Sequence, residues 1–162
     1  MKLRSLRLLS AGLFVFTTGC DAVTKHLAEA HLASGPVSIV PGWVSLRLAY
    51  NKGVAFSAFE GLPHWVLGVG ALVLLAGVLV SLRKLADKPM GAVALALVAA
   101  GGVCNAIDRL SDGQVTDMIS VWRWPVFNIA DTGITIGVAL LLLAGWRKDP
   151  VPEPAPPAAP AP

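Results

Sequence analysis

Long apolar runs closed by basic residues constrain this 162-residue chain more than any other feature of its sequence. The clearest run covers residues 66–82 and is followed by Arg83 and Lys84. It meets the lower limit of about 17 residues for a helix that crosses a bilayer. Hydrophobic residues make up 55% of the chain and charged residues only 14%, against about 25% charged in a typical soluble domain. We therefore expect a protein embedded in lipid.

Three further apolar runs complete a set of four predicted spans. Residues 8–16, continuing to Asp21, follow a basic start and are typical of a signal peptide or of a first transmembrane helix. The third run opens after Pro89 and reaches residue 107, and its small residues predict close helix packing. The fourth, 134–146, needs residues from about 127 to cross the membrane. These runs predict an all-α integral membrane protein with four transmembrane helices.

The basic residues predict the orientation of these helices, because Lys and Arg near helix ends are retained in the cytoplasm. Eight of them fall at one membrane face and five at the other. We expect both termini in the cytoplasm and residues of about 26–64 and 109–127 outside. The basic residues thus indicate topology, and we expect no nucleic-acid partner. The first group is Lys2, Arg4, Arg7, Arg83, Lys84, Lys88, Arg147 and Lys148; the second is Lys25, Arg47, Lys52, Arg109 and Arg123.

The longer outer segment and the C-terminal tail differ from the apolar runs. Apolar and polar residues alternate from Val44 to Tyr50, the pattern of a half-buried strand. We expect a small periplasmic β-sheet element, with strands at about 35–58. Residues 150–162 are almost all Pro and Ala, which predicts a disordered cytoplasmic tail behind a membrane domain of residues 1–149.

Five aspartates gather at the predicted outer ends of the helices: Asp21, Asp108, Asp112, Asp117 and Asp131. A carboxylate at the centre of a membrane helix costs roughly 2.5 to 3.5 kcal/mol, and less near the interface, so such a group needs a reason. Asp112 lies in the turn sequence Leu-Ser-Asp-Gly and is expected to be a solvated loop charge. Asp117 has apolar neighbours and is expected to be buried.

The spacing of polar residues leaves alternatives open. Asn128 and Asp131 are three residues apart and share a helical face, but both residue types also favour helix N-termini as caps. Asp108 and Arg109 can form an ion pair that anchors a helix end, with Asn105 on the same face. Asp21 and Lys25, four apart, form either a surface salt bridge or a substrate-positioning pair.

Two neighbouring carboxylates can share one proton. The ionised one can take a proton from water while the protonated one polarises a carbonyl, which is peptide hydrolysis without a covalent intermediate. No Ser or Cys has a convincing partner base. His26, His31 and His64 are expected to lie in or beside the first outer loop, and the absence of an HExxH spacing argues against a metal site.

Five motifs in order along the chain resemble those of the lipoprotein signal peptidases, also called signal peptidase II. They are Asp21-x-x-Thr24-Lys25, Asn51-Lys52-Gly53-Val54-Ala55-Phe56-Ser57, Gly101-Gly102-x-x-Asn105-x-x-Asp108-Arg109, Val115-Thr116-Asp117 and Phe127-Asn128-Ile129-Ala130-Asp131. Each motif alone is weak, and the five together are a strong signal.

The resemblance implies a membrane-embedded aspartyl endopeptidase that cuts prolipoproteins before a diacylglyceryl-modified cysteine. It implies Asp117 and Asp131 as the catalytic pair. It further implies a bacterial cytoplasmic (inner) membrane location, a site near the periplasmic face, membrane lipids as partners, a monomer, and no cofactor or metal. The residues that it implies orient the catalytic pair or the substrate are Asn51, Gly53, Asn105, Arg109 and Asn128. It implies structural or positioning roles for Asp21, Lys25 and Asp108.

Three departures and two rival interpretations accompany the resemblance. Ala22 and Cys104 stand where the family more often has Gln and Gly, and the connection from Asp117 to Asp131 is short for an outer helix. One rival is a divergent non-peptidase membrane protein, such as a proton-coupled transporter component. The other treats Thr-Thr-Gly-Cys20 as a lipobox, so that the first run would be a lipoprotein leader.

Overall fold

The computed structural model describes residues 3–52 and 62–146. Gly53 and the tail of residues 150–162 therefore lie outside the described residues. The elements follow in the order α1 Leu3–His31, β1 Val37–Val40, β2 Val44–Asn51, α2 His64–Leu82, a short 3₁₀ helix Arg83–Asp87, α3 Pro89–Ser111, β3 Val115–Val121 and α4 Ile129–Trp146. All four α-helices are long and apolar enough to cross a membrane, so the predicted set of four spans is confirmed.

Helix α1 is longer than the sequence predicts. It continues ten residues beyond Asp21 to His31, so that His26 and His31, which we expected in or beside the first outer loop, lie on this helix. Helix α3 likewise runs past Arg109 to Ser111. Helix α1 continues this far because it meets no helix-breaking residue before Gly35 and Pro36.

Contacts between helix ends show that the helices alternate in direction. Lys25, near the end of α1, forms an ion pair with Asp108 near the end of α3. The first residues of α4 meet the same region, because Ala130 donates its backbone N–H to Asp21. Gly68, early in α2, lies against Leu110 at the end of α3. The polar cluster therefore lies at one end of the bundle, and α1 begins and α4 finishes at the other.

Small residues bring α3 and α4 into close contact. A Cβ added to Gly101 of α3 would collide with the carbonyl oxygen of Ala130, and one added to Gly137 would lie 2.8 Å from the carbonyl oxygen of Ala94. Ala94 and Ala130 are themselves fully buried. This close packing, predicted from the small residues of the third run, fixes the start of α4 against the last turns of α3.

The small sheet is present and has three antiparallel strands in the order β1-β2-β3. Strands β1 and β2 lie within the predicted range of 35–58, whereas β3 comes from the second outer segment and was not predicted. In the register of β2 and β3, Asn51 pairs with Val115 and Ala49 with Asp117. The sheet thereby brings Asn51, from one outer segment, beside Asp117 of the other.

The opposite tip of the sheet carries exposed aromatic side chains. Trp43 and Trp122 stack with ring centroids 5.9 Å apart, and the Arg123 guanidinium lies 5.2 Å from the centre of the Trp122 ring. Trp122 has a φ of 44°, a left-handed conformation that is unfavourable for a bulky residue. Exposed tryptophans at this position are typical of a surface at the membrane interface.

Candidate active site

Asp117 lies on β3 with its side chain buried, its residue being only 2% exposed. Its Oδ1 accepts a hydrogen bond of 2.8 Å from the side-chain amide of Asn128, and the Asn51 side chain is a second hydrogen-bond partner. Burial, followed by the negative charge of Asp131, raises the pKa of Asp117 to about 7, although the two asparagine hydrogen bonds oppose that rise. Asp117 is therefore a carboxyl group that can hold a proton near neutral pH.

Asp131 and Asn128 form a reciprocal cap at the start of α4. The Asp131 backbone N–H donates to Asn128 Oδ1 over 2.8 Å, and the Asn128 backbone N–H donates to Asp131 Oδ2 over 3.3 Å. This is the geometry of a capping box. The interpretation of these residues as a helix cap is correct, and it does not exclude a chemical role, because Asp131 Oδ1 still faces the polar cluster.

The Asn128 side chain joins the two aspartates. It is fully buried, and its Nδ2 donates to Asp117 Oδ1, to Asn105 Oδ1 over 3.1 Å and, more weakly, to the Thr116 carbonyl over 3.4 Å. Since the backbone N–H of the same residue donates to Asp131, one asparagine contacts both carboxyl groups. The carboxyl groups of β3 and α4 thus converge on a shared centre.

Asn105 and Arg109 supply the α3 side of this centre. Asn105 Nδ2 donates to Asp131 Oδ1 over 2.7 Å, and Arg109 donates to the Asn105 carbonyl over 3.3 Å. The Arg109 guanidinium also interacts electrostatically with Asp131 and Asp117. A guanidinium at this position can stabilise negative charge on the carboxyl pair or on a bound substrate.

A largely buried cluster of ion pairs from α1 and α3 lies beside this centre. Lys25 forms ion pairs with Asp21 and with Asp108, the latter over 2.7 Å, and its ammonium group donates to Asn105 Oδ1 over 3.3 Å. The alternative of a surface salt bridge between Asp21 and Lys25 was wrong, because Asp21 is 1% exposed. Asp21 also accepts the Ala130 N–H over 2.8 Å, so the cluster ties α1 to α3 and α4.

The sequence patterns assigned no role to Thr116 and Glu29. The Thr116 hydroxyl donates to the Glu29 carboxylate over 2.7 Å, beside Asp117. Glu29 could have been found from its spacing, because Asp21, Lys25 and Glu29 repeat every four residues along α1 and so share one face. Asp112 is exposed at the C-terminal end of α3, as its turn sequence predicted.

An apolar cavity of about 470 Å³ lies beside the site. Met118 lines it, and because successive strand residues point to opposite faces, it lies across β3 from Asp117. No group of three or more His, Cys, Asp or Glu side chains is arranged to hold a metal ion within residues 3–52 and 62–146. The other lining residues are Thr24, Leu27, Ala28, His31, Leu32, Leu46, Ile119 and Ile129.

The fold and the site together define a multi-pass membrane protein with two carboxyl groups, the buried Asp117 and the half-buried Asp131, converging at one end of its helices. The family model described as Signal peptidase (SPase) II matches residues 13–147. The chain belongs to this family and is a bacterial membrane protease.

Known proteins with similar sequences and structures agree. A lipoprotein signal peptidase of Dehalococcoides mccartyi is 38% identical over 80% of this chain and 86% of its own length. One of Hydrogenovibrio crunogenus is 36% identical over 91% of each chain. A bacterial membrane enzyme solved by the in meso method superposes with a TM-score of 0.71 and 26% identity, over 87% of this chain and 94% of that structure.

Proposed function

We propose that this protein is an aspartic endopeptidase that removes signal peptides from prolipoproteins, cutting before a diacylglyceryl-modified cysteine. Asp117 and Asp131 form its catalytic pair. The observation that carries the proposal is the double contact of Asn128, whose side chain donates to Asp117 and whose backbone N–H donates to Asp131. Membership in the family supports the substrate class.

The reaction needs one proton on the carboxyl pair. Asp117, with a pKa raised to about 7 by burial and by Asp131, holds that proton and donates a hydrogen bond to the scissile carbonyl oxygen. Asp131 accepts a proton from a water molecule, whose oxygen attacks the carbonyl carbon. The tetrahedral intermediate then collapses as a proton moves to the peptide nitrogen, so that the C–N bond breaks and two peptides leave.

The surrounding residues position this pair. Asn128 and Asn105 hold the two carboxyl groups, Arg109 offsets their charge, and Asn51 orients Asp117 from the sheet. Gly53 keeps the orienting role that its motif implies, and Asp21, Lys25 and Asp108 anchor the helix ends. The basic residues at the other end of the bundle support a cytoplasmic location for both termini. The same charge distribution supports a site near the periplasmic face of the inner membrane.

A cleavage assay on purified protein tests the proposal. We expect Asp117→Asn and Asp131→Asn each to lower the cleavage rate of a diacylglyceryl-modified prolipoprotein by about 10³-fold or more, since neither amide can exchange the required proton. Asp112→Asn is the matched control, because Asp112 is exposed at the same end of the molecule, and it should cleave at the wild-type rate. The same prolipoprotein with an unmodified cysteine should not be cleaved.

Three outcomes would contradict the proposal. Near-normal cleavage by either Asp→Asn variant would remove that residue from the catalytic pair. Cleavage of the unmodified substrate would refute the lipid requirement. If wild type showed no cleavage but pH-dependent ion flux in liposomes, the alternative of a proton-coupled transporter component would replace the proposal.

A further inference from the structure

A second cavity lies at the end of the bundle opposite the aspartates, and the proposed protease chemistry does not use it. Its volume is about 540 Å³, within the usual range of about 300–1,000 Å³ for small-molecule sites. The start of α1, the 3₁₀ helix after α2 and the first half of α3 form its walls. The residues that matter for its chemistry are Arg7, Ser10, Phe14, Arg83, Asp87 and Leu95.

The wall that carries Arg83 is held in place by close packing. Gly91, in the first turn of α3, lies directly under Leu85 of the 3₁₀ helix, and a Cβ added there would collide with the Leu85 backbone. Any residue larger than glycine at position 91 would keep Leu85 from coming so near to α3. The 3₁₀ helix is therefore fixed on α3, and Arg83 faces the same space as Arg7 of α1.

The cavity has unbalanced positive charge. Within residues 3–52 and 62–146, neither Arg7 nor Arg83 has an ion-pair partner, and Asp87 lines the cavity without pairing with either of them. Arg4, Lys84 and Lys88 add further positive charge at the same end. Two guanidinium groups without an ion-pair partner among the described residues attract phosphate at a membrane surface, and each can bind it through two parallel hydrogen bonds.

The rest of the wall is apolar and continues into the membrane. Phe14 lies about two helical turns along α1 from Arg7, and Leu95 about one turn along α3 from Ala92, each towards the middle of its apolar helix. A ligand that satisfies both parts has an anionic head and an apolar chain. Basic cavities between transmembrane helices bind lipids of this kind.

We propose that this cavity binds one anionic glycerophospholipid, with its phosphate between Arg7 and Arg83 and an acyl chain along Phe14 and Leu95. The lipid joins the start of α1 to the turn between α2 and α3. It belongs to the membrane around the protein and is distinct from the lipid-modified substrate. The proposal is therefore independent of the peptidase assignment.

Native mass spectrometry of the purified full-length protein, with phosphatidylglycerol or phosphatidylcholine added in detergent, tests this site. We expect one phosphatidylglycerol to be retained in preference to phosphatidylcholine. Arg7→Gln and Arg83→Gln should each weaken that retention about fivefold, the usual contribution of one basic residue to anionic-lipid binding. Arg4→Gln and Lys84→Gln are matched controls from the same membrane end that do not line the cavity, and they should retain the lipid.

A variant that leaves the charge unchanged separates the cavity from general surface attraction. Ala11 lines the cavity from an exposed position on α1, so Ala11→Trp should fill it and expel the lipid while the protein stays monodisperse. Equal retention of the two lipids, or equal losses in the control and cavity variants, would overturn the proposal.

Discussion

At the scale of single residues, Asn128 links the start of a helix to the carboxyl pair. Its side-chain oxygen caps α4 by accepting the Asp131 N–H, while its side-chain nitrogen donates to Asp117. An aspartate at this position could cap the helix equally well, but it would place a third carboxylate beside Asp117 and Asp131. An amide side chain supplies, on two separate atoms, an acceptor for the helix and a donor for the carboxyl group.

These two roles of Asn128 can be separated by mutation. Asn128→Ser keeps a hydroxyl oxygen that can cap α4, whereas Asn128→Ala removes the cap, which usually costs about 1 kcal/mol. We expect both variants to lose at least about tenfold in cleavage rate, and only the alanine variant to lose the stability of the cap. Thermal unfolding and the cleavage assay measure the two effects. Wild-type cleavage by Asn128→Ser would show that its amide nitrogen does not matter.

The raised pKa of Asp117 has a definite sign for activity and for stability. Because the protonated form is the proposed acid, the cleavage rate should fall as pH rises through about 7. The folded state binds this proton more tightly than the unfolded state, where an Asp pKa is about 3.9. The free energy of unfolding therefore decreases as pH rises from about 4 to 7, and the loss remains above pH 7.

Asp117→Asn removes the group whose ionisation lowers the free energy of unfolding. Above pH 7 the inactive variant should therefore be more stable than wild type. We expect its unfolding midpoint to rise by roughly 3 °C or more at pH 8 and to change little at pH 4, where the carboxyl group is protonated in both states. Thermal unfolding at the two pH values measures this difference. Asp112→Asn, at an exposed position, should show no such pH-dependent gain. A midpoint that drops at pH 8 would contradict the raised pKa.

At the scale of elements, the contact between α3 and α4 sets the distance between Asn105 and Asp131. Gly101 lies one turn before Asn105 and touches the Ala130 carbonyl, next to Asp131. Any side chain at position 101 must push the start of α4 away from α3. The 2.7 Å hydrogen bond between Asn105 and Asp131 would then lengthen.

Gly101→Ala should therefore reduce cleavage by about tenfold or more, since displacements near 1 Å strongly affect positioned catalytic groups. It should also destabilise the protein by about 1–3 kcal/mol through overpacking. Gly145→Ala is the matched control, because no atom lies within 4 Å of a Cβ at that position in α4. Equal activity of the two variants would show that the close contact at Gly101 does not position the pair.

Strand β3 shows what the sequence could and could not predict at this scale. Its residues Val-Thr-Asp-Met-Ile-Ser-Val are rich in β-branched types and follow Gly113, which is a recognisable strand signal. The apolar neighbours of Asp117 correctly indicated burial. Its pairing with β2 was not predictable, because that contact joins segments more than sixty residues apart. The residue pattern of neither strand indicates which strand is its partner.

At the scale of the whole molecule, hydropathy predicted the four spans because lipid imposes a length and composition that any spanning helix must meet. The aspartate spacing indicated which residues gather at one end. The ion cluster was only half predictable: the i, i+4 spacing of Asp21 and Lys25 was visible, whereas the partner Asp108 comes from another helix. Such a contact depends on helix packing, which the sequence does not encode in a local pattern.

The packing of α1 against the other helices bears on whether this helix remains part of the mature protein. In the lipobox interpretation, cleavage before Cys20 would remove the first 19 residues. Cys20, however, lies inside the continuous helix α1, one residue before Asp21. Leu6 and Thr17 are buried within the bundle, and a Cβ added to Gly133 of α4 would lie 3.3 Å from the Thr17 methyl group. The residues before Cys20 are thus part of the packed structure.

We therefore expect the purified protein to retain α1, with an intact mass near the 16.8 kDa of the full chain. Cleavage at Gly19–Cys20 would require unwinding a packed membrane helix, which leaves backbone groups without partners in lipid. Cys20→Ser should leave the mass of the polypeptide unchanged apart from the substituted atom, because no lipid is attached there. A mature protein that begins at a lipid-modified Cys20, and that Cys20→Ser leaves unprocessed, would instead establish α1 as a cleaved leader.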